Sequence, residues 1–269
     1  MISIPIGLFV LLLIYLFMIA PRKRRAMKKF AELHYAHRGL HNKERAENSM
    51  SAFKAAVDAG YAIELDIRLS KDGKLVVFHD DTLDRVCGRE GKVVDFTAEE
   101  LAEFKLSGTE EGIPLFSDML EMVNGRSALL VEIKEEAGDK SVSIAACDML
   151  RGYKGDYIVE SFNPMSLFTV RCRLPKAVRG LLSRTYYKEE QYKKPLFFLL
   201  QSLMLNFICR PAFIAFKHED AKSFALQFVR NFFEVPTLAW TVRSLNEEKE
   251  AIKNGFDGII FENYIPEKE

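Results

Sequence analysis

The chain has 269 residues, 48% hydrophobic and 28% charged, which is enough apolar side chain for one large core and excludes a disordered protein. Lys plus Arg and Asp plus Glu balance at 38 each, so no global field draws nucleic acid, and affinity for an anion must come from a local site. The four cysteines (Cys87, Cys147, Cys172 and Cys209) stand far apart, with neither metal-ligand nor redox spacing, and read as free thiols of a reducing compartment.

Residues 1–21 carry no charged side chain and are dominated by Leu, Ile and Phe, whereas Arg22, Lys23, Arg24, Arg25, Lys28 and Lys29 follow at once. About 20 apolar residues cross a bilayer as a helix. A secretory leader carries its positive charge ahead of the apolar run and a small-residue cleavage site behind it, the reverse of this order. The expectation is an uncleaved, single-pass anchor over 1–21 in the cell membrane and a basic juxtamembrane linker over 22–32. The positive-inside rule then puts the domain that follows in the cytoplasm. The basic cluster acts as a stop signal, and its charge also suits anionic lipid.

Behind the linker, strand-length apolar runs alternate with helical patterns. The predicted strands are 33–37, 62–69, 75–79, 128–133, 157–160, 178–183, 213–216, 237–242 and 258–261. Helices fit between most of them. One ends at Gly60, a second opens on the capping box Thr97-Ala98-Glu99-Glu100, and a third precedes Gly255. Such alternation predicts a parallel sheet. The ninth strand is explained by Ser70-Lys71-Asp72-Gly73-Lys74, a turn too short for a parallel crossover. The expected fold is an α/β (β/α)₈ barrel over 33–269 with a small insertion over 81–127. The apolar segment 195–208, bounded by Lys194 and Arg210, is too short to span a bilayer and reads either as a buried helix or as a membrane-facing helix beside the barrel mouth.

Side chains alternate along a strand. In 62–69 one face is Ile63, Leu65, Ile67 and Leu69, and the other is Glu64, Asp66 and Arg68; Glu132 and Lys134 repeat the pattern between Val131 and Ile133. Charges inside a strand are costly unless paired or bound to metal. Three carboxylates near strand C-termini, where barrel enzymes keep their sites, suit Mg²⁺ or Ca²⁺. The competing reading is that these charges only pair with Arg68 or Lys134. His37 and His79 each end a strand, in a chain with five histidines, and imidazole can both take and return a proton near neutral pH. Arg38 can fork onto a phosphate. Glu47 is a further metal or substrate ligand, or simply an acid near a helix N-terminus, and Asn48 reads as its N-cap.

The pattern His37-Arg38-Gly39, Glu47-Asn48, Glu64-Leu65-Asp66 and His79-Asp80, continued by Val131-Glu132-Ile133-Lys134, Ser161-Phe162 and Ala239-Trp240-Thr241, resembles the glycerophosphodiester phosphodiesterase family. The resemblance implies a TIM barrel that hydrolyses glycerophosphodiesters to an alcohol and sn-glycerol 3-phosphate. It implies His37 and His79 as the acid–base pair, and Glu64, Asp66 and Glu132 around a divalent cation with Glu47 close by. Arg38 and Lys134 would engage the phosphate, and Trp240 would lie at the mouth against the glycerol or the alcohol. One departure is Phe261-Glu262, where the family usually shows Thr-Asp. The anchor and the apolar segment leave open a lysophospholipase D-like activity on membrane lipid. A non-catalytic barrel that binds phosphorylated glycerol compounds is a third reading.

Overall fold

The structure, a computed structural model, describes residues 3–266; Met1 and Ile2 of the expected anchor and residues 267–269 of the expected barrel lie outside the described residues. The first helix, α1 (Ser3–Ile19), has 17 residues. At 1.5 Å per residue that is about 25 Å. No described helix is long and apolar enough to cross a membrane, so the full span expected over 1–21 is not what the described residues form. The helix stops at Ile19 because Ala20 precedes Pro21 and is steered away from helical dihedrals. Its last carbonyls are held from the side: Asn206 Nδ2 donates to Ile19 O at 2.8 Å, and Arg210 Nη1 to Phe17 O and Ala20 O at 3.1 Å each.

The basic stretch does not swing free. A 3₁₀ turn at Arg25–Met27 and α2 (Lys28–Ala31) insert Met27 and Phe30 into the floor of a barrel. Then come β1 (His34–Ala36), α3 (Met50–Asp58), β2 (Ala62–Leu69), β3 (Leu75–Val77), α4 (Asp84–Cys87), α5 (Ala98–Ala102), α6 (Phe116–Val123), β4 (Leu129–Ile133), α7 (Ser141–Leu150), β5 (Tyr157–Ser161) and α8 (Pro164–Arg173). The chain closes with β6 (Val178–Ser183), α9 (Pro195–Gln201), α10 (Asn206–Cys209), β7 (Phe213–Lys217), α11 (Phe224–Phe233), β8 (Thr237–Val242), α12 (Leu245–Lys253) and β9 (Gly258–Phe261).

Eight of these strands run parallel in the ring β1-β9-β8-β7-β6-β5-β4-β2, closed by β1 against β2. This is the eight-stranded barrel expected from the alternation. β3 is the extra strand, antiparallel to β2, and the 70–74 turn that forces it is closed by Ser70 N–H to Lys74 O at 2.9 Å. It occupies the edge of β2 above Ile63, where β1 has already ended.

Alternation divides the core as the sequence predicts. Ile63, Leu65 and Ile67 face the helices, in one cluster with Phe53, Phe116 and Met119. The inward side chains Tyr35, Ala62, Leu130, Ile158, Val178 and Phe213 fill the lower barrel above Met27 and Phe30. Between β3 and α6, residues 81–115 carry α4 and α5 and build a separate small core around Phe78, Leu83, Val86 and Leu101. α6 returns to the barrel wall against α3. All four cysteines are free.

Candidate active site

The site is built where the inward faces of the strands turn from apolar to acidic. On β2, Glu64 and Asp66 stand above Ala62, and on β4 Glu132 stands above Leu130; Asp66 and Glu132 are register partners on adjacent strands. One oxygen from each of Glu64, Asp66 and Glu132 lies within 4.8 Å of the others, and all three residues are buried. Burial and the neighbouring carboxylates push Glu64 well up, and burial takes Glu132 up to about 7 despite Lys134. Asp66 is as buried, but Lys134, His79 and Arg38 outweigh that and hold it well down. Lys134 Nζ sits 2.8 Å from Glu132 Oε1 and 3.2 Å from Asp66 Oδ1. The pairing reading therefore holds for Lys134. It fails for Arg68, which turns away to donate to His79 O and pair with Asp81.

A tight turn after β1 presents the next group. Arg38 and Gly39 both have positive φ, 56° and 81°, and the turn leaves the Arg38 N–H donating to Glu64 Oε2 at 2.9 Å. Asn48, also at positive φ, is not the cap of α3; Ser49 is, accepting from Ala52 N. Asn48 is buried instead and donates from Nδ2 to Asp66 Oδ2 at 3.0 Å.

His37 follows β1 and His79 follows β3, and each has its Nδ1 engaged by a carboxylate. His37 Nδ1 is 2.6 Å from Glu262 Oε2, and His79 Nδ1 is 2.6 Å from Asp80 Oδ1. That leaves Nε2 of each ring for substrate. Burial drives His37 down to about 4 although Glu262 opposes it, and burial also lowers His79. Arg85 donates to Asp80 at 2.6 Å and to Glu47 at 2.7 and 2.8 Å, and Arg38 Nη1 donates to Glu47 at 2.7 Å. Glu47 thus bridges two arginines and is not brought into the three-carboxylate cluster.

His37, Arg38, Glu64, His79, Glu132 and Lys134 line a cavity of about 210 Å³ at the C-terminal end of the strands, together with Glu160, Phe162, Trp240, Thr241 and Arg243. Trp240 packs edge-on against Phe162, ring centroids 5.5 Å apart, and its indole N–H has no partner among the described residues. A buried acidic cluster, an arginine, a lysine and two histidines around one small cavity fit a phosphate ester.

The whole of residues 37–265 matches the model of the glycerophosphoryl diester phosphodiesterase family. The chain belongs to that family. It is 32% identical over 239 residues to a glycerophosphodiester phosphodiesterase of Caldanaerobacter subterraneus, covering 84% of this chain and 91% of the relative. Among solved structures, a glycerophosphodiester phosphodiesterase of Thermotoga maritima has a TM-score of 0.66 at 27% identity, over 85% of this chain and 93% of that one. A phosphodiesterase of Oleispira antarctica, solved with the product sn-glycerol-3-phosphate, shares the fold with a TM-score of 0.69 at 21% identity, over 87% of this chain and 94% of that one. As a family member the chain is a phosphoric diester hydrolase, and the binding-only reading gives way to an enzyme.

Two residues of this hydrolase site were not singled out from its sequence. Glu160 is the register partner of Glu132 on β5, buried with its Oε2 unpartnered among the described residues, and burial and the acidic neighbours push it well up. Its signal was the alternation Ile158, Glu160, the same apolar-then-acidic step as Ala62, Glu64. Glu262, noted only as a departure from the family pattern, is the support of His37 and also accepts from Arg243 Nε at 2.6 Å.

Proposed function

We propose that this enzyme hydrolyses glycerophosphodiesters to an alcohol and sn-glycerol 3-phosphate, with Glu64, Asp66 and Glu132 holding a divalent cation, Mg²⁺ or Ca²⁺, and His37 and His79 as the acid–base pair. The observation that carries it is the buried carboxylate triad, with oxygens within 4.8 Å, two members of which, Glu64 and Glu132, line a cavity with both histidines. Hard oxygen donors suit these cations, and burial raises the Glu64 and Glu132 carboxyls, so that a bound cation would compete there with protons. When bound there, the cation would offset negative charge on the phosphoryl oxygens. Arg38 and Lys134 add positive charge on the same wall, with Glu47 keeping the Arg38 fork in place. One histidine Nε2 takes the nucleophile's proton and the other returns a proton to the leaving alkoxide, each ring fixed through Nδ1. Trp240 and Phe162 offer an apolar side for glycerol carbons or the alcohol.

We further read the enzyme as membrane-attached, with α1 embedded in lipid and the barrel on the cytoplasmic side. A lipid-derived diester is a second substrate class favoured by α9, an apolar helix with no buried residue.

The test is release of glycerol 3-phosphate from glycerophosphocholine, with and without EDTA, by the wild type and by His37→Ala and His79→Ala. Metal-dependent release that falls by about 10² or more in each variant supports the reading. Release that survives EDTA, or either substitution, sinks the assigned chemistry. Activity confined to lysophospholipid micelles would select the lipid substrate.

A further inference from the structure

The outer wall of the barrel is not uniformly polar. α1 packs in the groove between α10 and α11: the ring of Phe17 lies 6.1 Å from Phe207, and that of Tyr15 lies 6.1 Å from Phe228. From Ile6 to Ile14 the large side chains of α1 are 47–63% exposed on every side, so this part of the helix rests on nothing else in the described chain. On one flank, α11 carries a column of rings at helical spacing, Phe224, Phe228 and Phe232, with centroids 5.9 and 5.3 Å apart. Phe224 is 74% and Phe232 60% exposed. On the other side, α9, which precedes α10 in the chain, exposes Leu196 and Phe198, and Ser183 Oγ donating to Leu200 O at 3.2 Å fixes that helix at the mouth end of β6.

We propose that this wall, α9 and α11 on either side of α1, lies against an anionic lipid bilayer and brings the rim of the mouth to the lipid surface. The inference rests on the reading of α1 as lipid-embedded and goes beyond it by assigning the face of the barrel that docks.

Two observations favour lipid over a protein occupant. A partner helix or a second copy covers a stripe of α1, whereas α1 is apolar all round. Exposed lysines precede each aromatic helix, Lys194 before α9 and Lys222 before α11, and Arg22, Arg25 and Lys28 are exposed just past the end of α1. Cations beside exposed aromatic and leucine side chains are the composition of the membrane interface. The exposed apolar side chains of α9 and α11 lose unfavourable contact with water on entering the interface.

The experiment uses the full chain in vesicles of phosphatidylcholine and phosphatidylglycerol. Spin labels are placed one at a time in a Cys172→Ser background through Leu196→Cys, Phe224→Cys or Phe232→Cys on the wall. Leu11→Cys reports α1, and Glu121→Cys on the exposed face of α6 is the water control. Accessibility to oxygen and to a water-soluble nickel chelate is read at each. The expected result is an oxygen-to-nickel ratio at the wall positions several-fold above that at Glu121, rising with the fraction of phosphatidylglycerol. Wall labels that match Glu121 while Leu11 reports lipid would overturn the docking and leave the embedded helix standing. A Leu11 label in water removes the membrane reading and the docking with it. Wall labels shielded from both reagents in proportion to protein density would show that a second copy covers this face, which also overturns the proposal.

Discussion

At the scale of single residues, the contact that decides the reactivity of His37 is Glu262, 225 positions away in sequence and 2.6 Å away in space. Burial raises the Glu262 carboxyl, but the hydrogen bond from His37, the nearby His41 ring and the charge of Arg243 outweigh it and hold it well below the usual carboxylate range. An ionised partner at Nδ1 fixes the tautomer and the ring plane. His37 itself, driven by burial to about 4, stays neutral well below the 6.5 of free imidazole. If His37 acts as the base, the acid limb of kcat/KM lies below pH 6.5, because protonation inactivates it only as pH falls through its lowered pKa. Glu262→Gln removes a group that raises that pKa, so the limb moves to still lower pH. It also loosens the ring, and kcat is expected to fall about 10- to 100-fold with KM little changed. A pH–rate profile of the variant checks both statements. An unshifted limb accompanied only by a lower Tm would reduce Glu262 to a structural role.

At the scale of elements, the turn after β1 converts strand geometry into site geometry. Gly39 has φ +81°, and a Cβ there would meet the Ala52 backbone and side chain at 2.9 Å, so the turn sits directly on α3. Gly73, in the 70–74 turn, has φ +76° but open space around it. Gly73→Ala therefore meets only backbone strain, about 1 kcal/mol. Gly39→Ala adds an overpacking cost of about 1–3 kcal/mol and displaces His37 and Arg38. Thermal unfolding and turnover of the two variants should separate: both lose stability, and only Gly39→Ala loses most of its activity. The barrel and much of the site were legible because period-2 alternation is local: Glu64, Asp66 and Glu132 announce themselves between aliphatic neighbours. Glu160 obeys the same alternation but stands alone among apolar residues in its strand, and a single charge is a weak signal. The bridging role of Glu47 depends on Arg85 from α4, and the support of His37 depends on β9. Neither contact has a spacing that a sequence displays. Asn48 and Ser49 are both capping residue types, and only the backbone dihedrals show which one caps.

At the scale of the whole molecule, the barrel gathers an excess of buried acid that its own cations do not match. Glu64, Glu132 and Glu160 line one cavity, Asp66 adjoins Glu64 and Glu132, and Lys134 and Arg38 are the positive groups paired with Asp66. Burial pushes Glu132 from the usual carboxylate range up to about 7, and burial with acidic neighbours pushes Glu64 and Glu160 well up. A carboxyl whose pKa is higher in the folded state binds more protons folded than unfolded. The metal-free protein therefore loses stability as pH rises from the ordinary carboxylate range through about 7. A divalent cation needs these carboxylates ionised and competes with their protons. The rise in Tm on adding Mg²⁺ or Ca²⁺ should then be small at acidic pH and large at alkaline pH. A cation at a hundred times its Kd contributes about 2.7 kcal/mol. Calorimetry across this pH range measures it directly, with no need for turnover. Glu132→Gln should abolish most of the metal-dependent rise and flatten the pH dependence of the metal-free protein near 7, because the same carboxyl carries both effects. A Tm increment that is equal at acidic and alkaline pH would mean that the cation binds elsewhere and that the triad is held by protons and Lys134 alone.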